Sequence, residues 1–203
     1  MSGIDRLIST SLSQIIKKTL TYDDLKILER KLFFDHGMSI KLSIEHFDKF
    51  TKVLKNISNI DIKKFESNCV NKVIKIKKVN ENYLIQIIDQ KLIELILELS
   101  GDSETRKIFS CVFENDLTIP QILNEAKIPK TSGYRKIENL ILNGLILETG
   151  RVLSESKRIS KYRCVSDKMI IKIEKNKVIL QGIISKKIFE KSSCIKIPEL
   201  YLL

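Results

Sequence analysis

Residues 117–144 read LTIPQILNEAKIPKTSGYRKIENLILNG, and the punctuation of this stretch decides the fold. Thr118 precedes Ile119-Pro120-Gln121, so its hydroxyl can cap a helix while Gln121 reaches back from the third position. Proline is tolerated in a first turn, where the N–H groups have no helical partner. The pattern predicts a short helix to Ala126 and a tight turn over Lys127-Ile128-Pro129-Lys130. A second helix then runs from about Lys130 to Asn143, where Gly144 stops it. Two short helices joined by such a turn form a helix-turn-helix.

At about 100° per residue, Gly133, Tyr134, Ile137, Leu140 and Ile141 fall on one face of the second helix and are expected to pack. Thr131, Ser132, Arg135, Lys136 and Asn139 lie toward the other face and, with Lys130 at the helix start, are expected to be free. These are the side-chain types that reach base edges and phosphates: Arg bidentate to guanine, Asn to adenine, Ser or Thr to either. A mid-helix glycine costs about 1 kcal/mol relative to alanine, so Gly133 points to close packing against the preceding helix.

Outward from Gly144, Leu145-Ile146-Leu147-Glu148 and Ile159-Ser160-Lys161-Tyr162-Arg163-Cys164 read as two strands around a tip at about Val152 to Arg158. This hairpin is a wing, whose Lys157, Arg158 and Lys161 can enter a minor groove or clamp phosphate. The alternative use of those cations is to solubilise an edge strand. Ahead of the motif, Ser100-Gly101-Asp102-Ser103 is small and polar, marks the best domain boundary, and offers N-caps for a helix from Glu104 to about Glu114.

Charge follows the same segment. The chain carries a formal +11, and between Lys127 and Arg163 nine basic residues face only Glu138, Glu148 and Glu155. Such an excess favours a polyanionic partner, although a solvated face would carry it as well. With 43% hydrophobic and 30% charged residues in 203, a real core can be buried. Cys69, Cys111, Cys164 and Cys194 lie far apart with no C-x-x-C pair, so free thiols in a reducing cytoplasm are expected, with neither a metal site nor a disulfide framework. No cationic leader precedes a long apolar run, and the greasiest stretch, Leu92 to Leu99, is broken by Glu94 and Glu98, which argues against secretion and membrane spanning. His36 and His46 stand without a matching acid or nucleophile motif, and phosphate-loop patterns are missing, so no enzyme, catalytic residue or cofactor is expected.

The first hundred residues read as helical. Ile4, Leu7, Ile8, Leu12, Ile15 and Ile16 share a face; Thr21 with Asp24 caps a second helix through Leu32, and Gly37 ends it. Ser43 opens a third helix with Phe47, Phe50, Leu54 and Ile57, and Asp61 a fourth with Ile62, Phe65 and Cys69 inward. From Val73 two readings stay open. One is a β-hairpin over 73–88, with Ile74 and Ile76 alternating with lysines, then Tyr83, Ile85 and Ile87. The other is one long helix through Leu99, with Leu84, Ile88, Leu92, Leu95 and Leu99 as a dimer seam. After Arg163, residues 169–174 and 178–183 form a further hairpin whose unpaired edge can serve dimerisation, and the tail is helical up to Glu190.

Arg106-Lys107-Ile108, Leu117 to Ile122, Ile128-Pro129-Lys130, Tyr134 to Ile137, Leu140 and Gly144-Leu145-Ile146 together resemble the winged helix-turn-helix domains of ArsR-type archaeal and bacterial transcription regulators, over residues 102 to 165. The resemblance implies a dimeric DNA-binding domain whose second helix enters the major groove, with Ser132, Arg135 and Lys136 at contact positions. Metal-sensing members carry a tight Cys-x-Cys pair that this chain lacks, Cys111 standing alone. The helical N-terminal part bears a faint resemblance to small helical output domains of archaeal regulators and carries no residue-level role from it.

The expected fold is α+β and mostly helical: a helical domain over 1–99 for sensing or dimerisation, a winged helix-turn-helix over 100–165, and a hairpin with a tail over 166–203. The expected partners are double-stranded DNA and a second copy of the chain, in the cytoplasm and away from membranes. The competing expectation is a winged-helix module that contacts protein within a larger nucleic-acid-associated assembly.

Overall fold

The computed structural model describes residues 3–57, 60–154 and 157–195. Its axis is α1 (Gly3–Thr19), in which Ile4, Leu7, Ile8, Leu12 and Ile16 recur at helical spacing and are buried. Its other side is polar yet also covered, because each polar group there finds a partner. Ser9 and Ser13 donate to carbonyls of their own helix, at Arg6 and Thr10, and Ser11 donates to the Asp89 carboxylate. Against α1 pack α3 (Ile40–Ile44) and α5 (Ile62–Val70), while α2 (Tyr22–His36) and α4 (Phe47–Lys55) pack on each other and on α3.

Thr21 caps α2 by accepting from the Asp24 N–H, and Asp61 caps α5 by accepting from the Lys64 N–H, both as the sequence predicts. Ser43 does not open the third helix. Ser39 does, accepting from the Leu42 N–H, while Ser43 is buried within α3 and donates to the Ile40 carbonyl. Burial of Ile40 and Ile44, four residues apart, draws the helix start forward, and α4 begins afresh after His46.

Between the two readings of residues 73–99, the hairpin prevails. β1 (Ile74–Val79) pairs antiparallel with β2 (Asn82–Ile87), and α6 (Gln90–Gly101) starts only after Asp89, whose carboxylate accepts from the Leu92 N–H. The strand period lets Ile74, Ile76, Tyr83, Ile85 and Ile87 bury on one sheet face, which a helix would scatter. Leu84 and Ile88 therefore leave the face of Leu92, Leu95 and Leu99, and the continuous dimer seam does not exist.

Asp102 alone separates α6 from α7 (Ser103–Val112), which it caps through the Thr105 N–H at 3.0 Å, so the expected boundary is a helix-to-helix corner. Then follow β3 (Leu117–Thr118), α8 (Ile119–Ala126), α9 (Lys130–Leu142), β4 (Ile146–Ser154) and β5 (Lys157–Cys164), with a three-stranded sheet in the order β3-β5-β4.

The last pair, β6 (Lys168–Glu174) and β7 (Lys177–Ser185), joins the early hairpin. β7 lies antiparallel on β2, from Asn82 opposite Ser185 to Ile87 opposite Leu180, which makes one four-stranded sheet in the order β1-β2-β7-β6. In α10 (Lys186–Phe189) the Phe189 ring stacks on Tyr83 with centroids 3.9 Å apart. Beyond it, Ser192, Ser193 and Cys194 all donate to the buried Asp5 carboxylate of α1. The fold is thus α+β with antiparallel sheets. Buried residues from 1–99, 100–165 and 166–195 form one continuous hydrophobic cluster.

Candidate nucleic-acid interface

The pair α8 and α9 is built as its residue types require. The Thr118 N–H and hydroxyl both donate to Gln121 Oε1 at 2.9 Å, which fixes the start of α8. Lys127 closes the helix at φ 53°. A Cβ added at Gly133 would lie 2.2 Å from Leu123 Cδ2, so the glycine does allow α9 to press against α8.

Gly133, Ile137 and Leu140 form the buried face of α9. Opposite them, Lys130, Thr131, Tyr134, Arg135, Glu138, Asn139 and Leu142 are exposed. Two expectations change here. Tyr134, expected to pack, is 45% exposed, because it points about one residue's rotation away from the line of Gly133, Ile137 and Leu140. Lys136, expected to be free for contact, is half-buried and turns back onto α7, where its ammonium pairs with the carboxylates of Asp102 and Glu104. The Asp102 carboxyl is held well below the usual carboxylate range by hydrogen bonds from Lys136 and Thr105. The hydrogen bond to Asp102 in turn raises the Lys136 ammonium.

Ser132 is also half-buried, its hydroxyl donating to the Pro129 carbonyl at 3.3 Å, and Asn139 Oδ1 accepts from Asn143 Nδ2 at 2.8 Å. Of the helix residues named from sequence, Lys130, Thr131, Arg135 and Asn139 share the open face. The residues missed are Tyr134, Glu138 and Leu142. The stripe Thr131, Arg135, Glu138, Leu142 has ordinary helical spacing and was legible, but reading Lys136 by its charge turned the expected polar face away from it. A groove of about 510 Å3 beside α9 is lined by Glu98, Asp102, Arg135, Glu138 and Leu142 among others, so its charge is of mixed sign.

The hairpin after Gly144 is longer than predicted. β4 continues to Ser154 and β5 starts at Lys157, so Val152, Leu153, Lys157 and Arg158 belong to the ladder and not to a tip. The remaining tip residues, Glu155 and Ser156, lie outside the described residues. Directly opposed residues in an antiparallel pair project to the same side. Arg158 lies opposite Leu153 and Ser160 opposite Arg151, which puts Arg158 and Arg151 on one side. Lys157 and Lys161 take the other, so the three wing cations expected to act together are divided between two faces. Arg151 is paired with Glu148 at 2.8 Å and Arg163 with Asp167 at 2.8 Å, whereas Lys157 and Arg158 are exposed and make no ion pair among the described residues. The hydrogen bond from Arg151 lowers the Glu148 carboxyl, and that to Glu148 raises the guanidinium.

Burial pushes the Cys164 thiol up to about 11 and raises Cys69, Cys111 and Cys194, the reverse of an activated nucleophile. His36 is exposed in the last turn of α2, and His46 sits at the N-cap of α4 without a capping hydrogen bond. Among the described residues no group of three or more His, Cys, Asp or Glu could hold a metal ion, and no helix is long and apolar enough to cross a membrane.

No protein-family model matches the chain, and neither a curated protein nor a solved structure matches it.

Proposed function

We propose that the chain is a DNA-binding transcription regulator of winged helix-turn-helix type, with α9 in the major groove and the β4–β5 hairpin on the backbone. The observation that carries this reading is the order α7, β3, α8, tight turn, α9, β4, β5, with the short β3 paired to β5 and α9 showing an open face bearing Lys130, Thr131, Arg135 and Asn139. Within that order, a lead helix, a helix-turn-helix and a wing hairpin are the parts that the resemblance of residues 102–165 to ArsR-type regulators implies. In the groove, Arg135 and Asn139 are the base-reading side chains, and Glu138 can accept from a cytosine amino group. Lys157 and Arg158, on opposite faces of the wing, straddle a phosphate backbone rather than both entering one groove.

The exposure of Leu142 (66%) and Tyr134 (45%) on the same face favours a second reading, in which α9 contacts protein within a nucleic-acid-associated assembly.

Selection of bound duplexes from a randomised pool, followed by fluorescence anisotropy across salt concentrations, tests the first reading. Arg135→Ala is expected to cost about 1–3 kcal/mol on the selected sequence and to relax base preference there. Lys157→Ala is expected to weaken all duplexes alike and to reduce the salt slope by about one. Wild-type affinity and slope in both variants would overturn the DNA reading.

A further inference from the structure

The four-stranded sheet has two edges, and they differ in kind. Beyond β1 the edge carries Lys75, Lys77 and Lys78, the ordinary charged protection of a free strand. Beyond β6 the edge reads Lys-Met-Ile-Ile-Lys-Ile-Glu over 168–174, and among the described residues no strand pairs with it. Ile171 and Ile173 project on the sheet face that buries Leu180 and Ile184 elsewhere, yet they are 41% and 74% exposed. An edge of this composition is a template for another strand.

We infer that β6 is the dimerisation edge of this protein and that its occupant is β6 of a second copy, paired antiparallel about Ile171 into a continuous eight-stranded sheet. Self-complementarity of the sequence identifies the occupant. With Ile171 opposite its own copy, Met169 lies opposite Ile173, Ile170 opposite Lys172, and Lys168 opposite Glu174. That register covers both exposed isoleucines with apolar side chains and sets an opposite charge pair at each end. Sliding the copies by two residues in either direction puts lysine against lysine, at 168 with 172 or at 172 with itself. The register is therefore specified by charge as well as by burial. The same operation on β1 fails, since antiparallel pairing centred between Ile76 and Lys77 opposes Lys75 to Lys78, and the neighbouring registers oppose Lys77 to itself or to Lys75. The pairing extends the sheet edge to edge, with both inner apolar rows on the same side, and makes no demand on α9 or the wing, so it does not rest on the DNA reading.

Sedimentation equilibrium of the full chain over a range of concentrations tests this. The wild type is expected to dimerise. Ile171→Lys, which sets two ammonium groups opposite each other, is expected to raise the dimer dissociation constant by about ten-fold or more. Because an edge isoleucine could also matter for folding, a charge exchange gives an independent arm. Lys168→Glu and Glu174→Lys each weaken the dimer singly by opposing like charges, and the double exchange restores it toward wild type. A monomeric wild type, a dimer unchanged by Ile171→Lys, or a double exchange no better than the single changes would overturn the inference. A dimer that survives every substitution would place the contact elsewhere, for instance on the exposed Tyr22, Phe33 and Phe34 of α2.

Discussion

Lys136 shows how little a charge in a sequence says about its use. It sits one residue from Arg135 on the same helix, yet Arg135 is exposed while Lys136 is bound to Asp102 and Glu104 at the start of α7. Two carboxylates in the first turn of a helix complement its N-terminal partial charge, and a lysine across the groove completes the cluster. Lys136 is therefore a strut between α7 and α9. Lys136→Ala is expected to lower stability by about 1 kcal/mol or less, since the pair is part-exposed, and to leave the salt slope of DNA binding unchanged. The pH dependence has a definite sign. The Asp102 carboxyl is lower in the folded state than in the unfolded chain, so its contribution is present above the unfolded value near ~4 and fades as pH falls toward the folded one. Thermal melts of wild type and variant should differ at neutral pH and draw progressively together as pH falls below ~4. A difference that persists in acid would mean that Lys136 stabilises by packing alone.

At the scale of elements, the turn between α9 and β4 joins the two halves of the chain. Gly144 stops α9 at φ 73°, a conformation that favours glycine, and a Cβ there would meet the Leu7 backbone nitrogen at 2.4 Å and the Gly3 carbonyl oxygen at 2.8 Å. The helix stop was legible; the docking of α1 against it was not, because the contacting residues lie more than a hundred positions earlier. Gly144→Ala is expected to cost about 2 kcal/mol or more in urea unfolding, through left-handed strain together with a clash against backbone that cannot turn aside. Gly150, with open space around its Cα, is the control, and Gly150→Ala should stay within about 0.5 kcal/mol of wild type. Equal costs at both positions would remove the α1 contact from the account. The wing illustrates the same limit. Its two strands were legible from alternating residues, but how far the ladder runs was not: it continues through Lys157 and Arg158, which as consecutive residues of one strand then project to opposite faces.

For the whole molecule, the last strands are structural partners of the first ones. β7 covers the edge of β2, Phe189 stacks on Tyr83, and Ser192, Ser193 and Cys194 satisfy the buried carboxylate of Asp5. A chain ending at residue 165 would expose a strand edge and leave that carboxylate buried without donors. Such a truncation is expected to lose the cooperative melt of the full chain in circular dichroism. Retention of a sharp, near-native transition would show that the C-terminal hairpin is dispensable. Local chemistry, by itself, determined the caps at Thr21, Asp61 and Thr118, the helix pair over 119–142 with its intervening turn, the strand period of the last hairpin, and the close-packing role of Gly133. Each depends on residues within a few positions, where propensity and capping act directly. Only the tertiary structure decided that residues 74–87 form a hairpin and not a long helix, that this hairpin and the last one form one sheet, that α1 lies at the centre despite its serines, and that Lys136 is a strut. Those outcomes depend on which distant groups satisfy a buried polar atom or cover an apolar face, and that pairing is set by packing across the whole chain.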